Sequence, residues 1–90
     1  MGRTRRKTQA DLARHFERRL RERYGIAGVS AAEVGALVRA GRVRDSWKES
    51  NSRTHHVVDL AGHAVRIVYN TRLNMPVTAL PPLPEAAHGR

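Results

Sequence analysis

The sequence predicts an α+β domain in which two N-terminal helices pack on a small antiparallel sheet, a meander of three strands. Three observations lead there. Apolar residues recur every four positions from Leu12 to Tyr24, and a second, capped apolar stripe covers Val34 to Val38. From residue 42 the period changes, and from Thr54 on β-branched segments are broken by tight turns. Ninety residues are enough for one domain with one layer of helix on one layer of sheet.

Residues 1–7 hold four positive charges and nothing to bury, so a disordered basic arm is expected there, followed by a single domain over 8–84 and a flexible tail over 85–90. Thr8-Gln-Ala-Asp11 has the form of a capping box, with a hydroxyl at the cap and an acid three residues on. Leu12, Phe16, Leu20 and Tyr24 then lay an apolar stripe along a helix that Gly25 closes in a left-handed conformation. Arg14, Arg18 and Arg21 share the opposite surface with Glu17 and Glu22, and Glu17 stands four residues before Arg21, a supporting ion-pair spacing. Ser30-Ala-Ala-Glu33 repeats the capping signal for a helix of about ten residues ending at Gly41, and the short link Gly25–Val29 keeps the two helices neighbours.

Thr54–Leu60, the turn Ala61-Gly62 and His63–Tyr69 read as a hairpin. Asn70–Met75 is a second turn, leading to Pro76–Leu80, where Pro76 is tolerable as a first residue or on an edge. Pro81-Pro-Leu-Pro84 ends the sheet. Alternation assigns Val58, Leu60, Val65, Ile67 and Tyr69 to the helix-facing side with His56 near its end, and His55, Val57, Asp59, Arg66 and Val68 to the outer side. The last strand is undecided, since Val77 and Ala79 compete with Thr78 and Leu80.

Charge narrows the function. Lys and Arg total 17, fifteen of them Arg, against 8 acids, leaving a formal charge of +9. Guanidinium forks suit phosphate, so nucleic acid is the expected partner, RNA ahead of DNA. An acidic protein, such as an antitoxin or a host protein, and a membrane surface answer to the same field. The chain has no Cys and its five His are scattered, so no metal site and no cofactor are expected. No apolar run approaches the roughly 20 residues of a membrane span, and the N-terminus lacks the apolar stretch of a secretory signal, which makes the cytoplasm the expected compartment and a membrane partner unexpected.

The densest chemistry lies in Lys48-Glu-Ser-Asn-Ser-Arg-Thr-His-His56. Cleavage of RNA through its own 2′-hydroxyl needs a base, an acid and positive charge at the phosphorane, and His55, His56, Lys48, Arg53 and Arg66 supply those groups without a metal. Adjacent His residues on a strand point to opposite faces, so at most one of the pair is expected to serve such a site. His15 reads as a boundary residue of the first helix, and His63 as part of a turn. For backbone contact, the candidates are the arm residues Arg3, Arg5, Arg6 and Lys7, then Arg14 and Arg18 on the first helix, and Arg44, Lys48 and Arg72, the sheet half bringing Arg44, Arg53, Arg66 and Arg72 toward one surface. Of the few aromatics, Trp47 alone is outside the apolar stripes. It is free either to stack on a base or to plug the space between the second helix and the first strand; the plug is the expected role, and the scarcity of aromatics disfavours a binder that works by base stacking.

The succession of Glu22-Arg-Tyr-Gly-Ile26, a Ser-capped helix, Arg53–Asn70 and Val77-Thr-Ala-Leu-Pro81 resembles small bacterial and phage proteins of the RelE-like and barnase/EndoU/colicin-like ribonuclease fold, over roughly residues 9–82. The resemblance implies a metal-independent, toxin-like endoribonuclease, or a relative that keeps the scaffold without the activity. It also implies site roles for a His on the first helix, basic sheet residues and a Thr late in the last strand, which correspond here to His15, Arg53 or Arg66, and Thr78. Two functional classes therefore stand: a nuclease that cuts RNA on the outer sheet face, and a non-enzymatic module, phage or bacterial, that grips nucleic acid or an acidic host protein. The edge strand beginning at Pro76 is open to pairing across a homodimer.

Overall fold

A computed structural model describes residues 8–82; the arm expected at 1–7 and the tail expected at 85–90 lie outside the described residues. Helices α1 (Gln9–Tyr24) and α2 (Ala31–Arg39) precede strands β1 (Asp45–Ser50), β2 (Arg53–Leu60), β3 (His63–Asn70) and β4 (Met75–Leu80). The strands form one antiparallel sheet in the order β1-β2-β3-β4. The sheet thus has four strands, one more than expected. The additional strand, β1, is exposed along its whole length, so it has no buried stripe to betray it and rests on its ladder with β2.

Both helices start as their sequences dictate. Thr8 Oγ1 accepts from the Asp11 N–H at 3.1 Å, and the Asp11 carboxylate accepts from the Thr8 N–H at 3.2 Å. These bonds, backbone first, hold the Asp11 carboxyl below its usual range. Ser30 and Glu33 make the same reciprocal pair at 3.1 and 2.8 Å. Gly25 closes α1 at φ 69°, donating to Arg21 O. Glu17, spaced to support Arg21, instead accepts from the Ala31 N–H at 2.8 Å, placing a carboxylate at the positive end of α2 and tying the two helices together.

The core lies between the helices and one face of the sheet. Phe16, Leu20, Tyr24, Ile26, Ala31 and Val34 pack against Val58, Leu60, Val65, Ile67 and Ala79. A bulge decides the strand whose alternation was ambiguous. Val68 pairs with Thr78 while Tyr69 pairs with Pro76, so Val77 is the extra residue. Residues on either side of it keep opposite parities, and both Pro76 and Ala79 reach the core.

The end of β4 is stitched to α1. The Tyr24 hydroxyl donates to Leu80 O at 2.7 Å and accepts from the Arg66 N–H at 3.1 Å, sitting inside the β3–β4 ladder at the Arg66–Leu80 pair. Next to it, the Arg23 guanidinium donates to Ala79 O at 2.9 Å. No helix among the described residues is long and apolar enough to cross a membrane.

Candidate nucleic-acid interface

The face of the sheet turned away from the helices is built in rows. Trp47, His55, Val68 and Thr78 are successive cross-strand partners from β1 to β4. Asp45, Val57, Arg66 and Leu80 form the row on one side, and Ser50, Arg53, Asn70 and Met75 the row on the other. Neighbouring strands are about 4.8 Å apart, so each row spans roughly 15 Å. Val68, only 5% exposed, sits at the centre with His55 and Thr78 beside it and Arg66 two residues before it.

Trp47 is 46% exposed, and its ring stacks on His55 with centroids 5.3 Å apart and planes 8° from parallel. The expected plug is therefore absent. Trp47 follows Ser46 and precedes Lys48 and Glu49 on an edge strand, and its outward parity carries it away from the helices. That isolation, an aromatic with no apolar residue two positions away, was the signal for exposure. Glu49 lies at the β1 irregularity between Lys48 and Ser50, and its Oε1 accepts from His55 Nε2–H at 2.6 Å. The carboxylate fixes the imidazole orientation and leaves the lone pair of the neutral ring on Nδ1.

Four nominated residues, Arg53, His55, Arg66 and Thr78, share this face. Most of the others do not. His15 belongs to α1, so the helical layer holds it with the sheet between it and His55, and the convergence of His15 with the sheet residues does not occur. Arg14 pairs with Asp11 and, like Arg18, is exposed on α1. Lys48, opposite Thr54, has helix-side parity. Arg44 pairs with Asp59 on the outer side at 2.9 Å, both exposed, and its side chain lines the cleft at that corner. Arg72 is exposed in the β3–β4 turn, near the row that holds Arg53. Arg3, Arg5, Arg6 and Lys7 lie outside the described residues.

His56, the other member of the pair, faces the helices. Its Nε2 meets Thr54 Oγ1 at 2.9 Å, its ring stands edge-on to Tyr69, and its Nδ1 is buried without a hydrogen bond among the described residues. Burial first, then the neighbouring His55, pushes its pKa below 6.5.

At one corner the outer face opens into a cleft of about 630 Å³ that turns around the end of β3 toward α1. Trp47, Val57, Arg66, Ala64, His63 and Arg23 line it. Sequence reasoning missed Arg23 and His63, because nothing in their local context shows that β4 stops short beside them. Among the described residues no group of three or more His, Asp or Glu side chains is arranged to hold a metal ion. Comparison with known proteins finds no matching family model, no matching curated protein and no matching solved structure.

Proposed function

We propose that this protein binds single-stranded RNA across the outer face of its sheet. The observation that carries the reading is the exposed Trp47 stacked on His55, flanked by Arg53 and Arg66 in the adjoining rows. Any base offers a π-face to such a ring pair, and the guanidinium groups meet the phosphates on either side. A fluorescence anisotropy titration with labelled RNA and DNA oligomers at several salt concentrations tests it. Binding that weakens with salt and falls in Trp47→Ala supports the reading. Binding unchanged by Trp47→Ala and by Arg53→Gln removes it, and capture of acidic polypeptides alone transfers the role to a protein partner.

The close His55–Glu49 contact favours a second reading on the same face, a toxin-like endoribonuclease. His55 Nδ1 takes the 2′-hydroxyl proton, the freed oxygen attacks phosphorus, and the 5′-oxygen departs with a proton from the protonated ring or water. Arg66 and Arg53 offset the phosphorane charge, and Thr78 hydrogen-bonds a phosphate oxygen. Incubation with RNA in EDTA separates the readings. Product lost in His55→Ala while binding persists supports cleavage, and intact RNA at every protein concentration leaves binding alone.

A further inference from the structure

Ala64 stands where the sheet is incomplete. The Arg66 N–H points toward β4, since it donates to the Tyr24 hydroxyl that bonds Leu80 O. Backbone groups along a strand turn to the same side at every second residue, so the N–H and C=O of Ala64 also point that way. β4 has already ended at Leu80; the register would continue to Pro82, which has no N–H to offer the Ala64 C=O and whose carbonyl does not accept from the Ala64 N–H. Among the described residues no backbone partner takes up these groups, so Ala64 presents a donor and an acceptor side by side at a strand edge that lines the 630 Å³ cleft.

The rest of the lining suits a phosphorylated ligand. Arg23 and Arg66 each spend one N–H on a backbone carbonyl, Ala79 O at 2.9 Å and Pro81 O at 3.1 Å, which fixes the guanidinium planes and leaves further donors for an anion. His63 is exposed beside them, its ring edge-on to Tyr24 at 6.2 Å. The opposing carboxylate, Asp45, is turned to the Ser46 N–H at 2.9 Å. A volume of this size accommodates one nucleotide.

Resting on the reading of the outer face as an RNA platform, we infer that this cleft holds one nucleotide of the bound strand, its base edge against the Ala64 backbone and its phosphate between Arg23 and Arg66. Every base carries a donor beside an acceptor on its pairing edge, so the Ala64 groups fasten a base in plane, while the cleft walls choose among bases. Trp47 is shared by cleft and platform, and a strand leaving the cleft passes onto the Trp47–His55 stack.

Trp47 is the only tryptophan, so its fluorescence reports this corner directly. The experiment titrates the full chain with the four nucleoside monophosphates, the parent nucleosides, inorganic phosphate and an RNA oligomer. Ala64→Pro and Arg23→Gln are carried in parallel with thermal melts. Proline removes the outward N–H at an edge position without touching the β2–β3 ladder.

The expected result is quenching by at least one monophosphate, with affinity about tenfold lower for its nucleoside, for inorganic phosphate and for each folded variant. The Ala64 amide resonance of the wild type shifts on nucleotide addition, which holds the test open should a variant fail to fold. Oligomer binding without any response to monophosphates overturns the cleft assignment and leaves the platform reading standing. Equal affinity for phosphate and nucleotide, or an unmoved Ala64 resonance, also overturns it. Silence toward both oligomer and monophosphates removes the platform reading as well.

Discussion

Trp47 lies face to face on His55, with ring planes 8° apart, on the side of the sheet that the helices leave open. The pair joins an edge strand to its neighbour through side chains that contribute nothing to the main core. Its value is therefore at the surface. Trp47→Ala is expected to weaken RNA binding by about 1–3 kcal/mol, roughly 5- to 150-fold, while leaving the melting temperature nearly unchanged. Anisotropy and a thermal melt on the same preparation check both halves.

Tyr24 has the opposite character. Its hydroxyl replaces a direct ladder contact between Arg66 and Leu80. Tyr24→Phe keeps the ring but strands a backbone donor and acceptor in a part-buried place, at a cost of about 1–3 kcal/mol. Urea unfolding measures it, and a loss below about 0.5 kcal/mol would show that water takes over both bonds.

The hairpin between β2 and β3 turns through Ala61 at φ 48° and Gly62 at φ 82°. Two positive φ angles mark a turn that favours Asn at its first position, where Ala is strained. Ala61→Asn is expected to raise stability by up to about 1 kcal/mol in the same urea assay. A decrease would mean that the turn does not hold this geometry in solution.

Acid is expected to lower stability in part through His56. Its folded pKa is depressed below 6.5 by burial and by His55, so the unfolded chain binds the proton more readily than the fold does. Stability from this group is complete above pH 6.5, is lost as pH falls from there toward the folded value, and levels off below it. Thr54 and Tyr69 face the ring, and His55, the adjacent residue on the opposite face of the sheet, adds its charge from there. Replacing it, as His56→Leu, should flatten the urea midpoint against pH across that window; a slope equal to that of the wild type sinks the assignment.

Glu17 links the helices through one bond to the first residue of α2. Glu17→Ala is expected to cost about 1 kcal/mol, because an N-terminal N–H loses its acceptor and the helix dipole loses a carboxylate. Reduced amide protection at Ala31 in hydrogen exchange would locate the effect.

Much of the fold was legible in the residues. The two capping boxes, the period-four stripe of α1, the left-handed Gly25 and the faces of β2 and β3 are all local patterns, and each reappears in the structure where the side chains put it. The edge strand β1 was not legible, because it buries no side chain and a ladder of backbone bonds leaves no mark on composition. Nor was the bulge at Val77, which lets Pro76 and Ala79 both face inward.

The candidate site divides along the same line. That Arg53, His55 and Arg66 belong to the outer face follows from strand parity alone. Thr78 joins them only because the bulge resets the parity of β4, and Trp47 and Glu49 join them only because β1 pairs with β2 in this register. His15 is separated from them because α1 packs on the other side of the sheet. By itself the sequence determined the helices, the hairpin, the basic charge and the inward or outward sense of β2 and β3, since each depends on neighbours within a few residues. Tertiary structure alone decided which basic and aromatic groups meet, and where β4 ends beside Ala64, because register and strand length are set by pairing between distant segments.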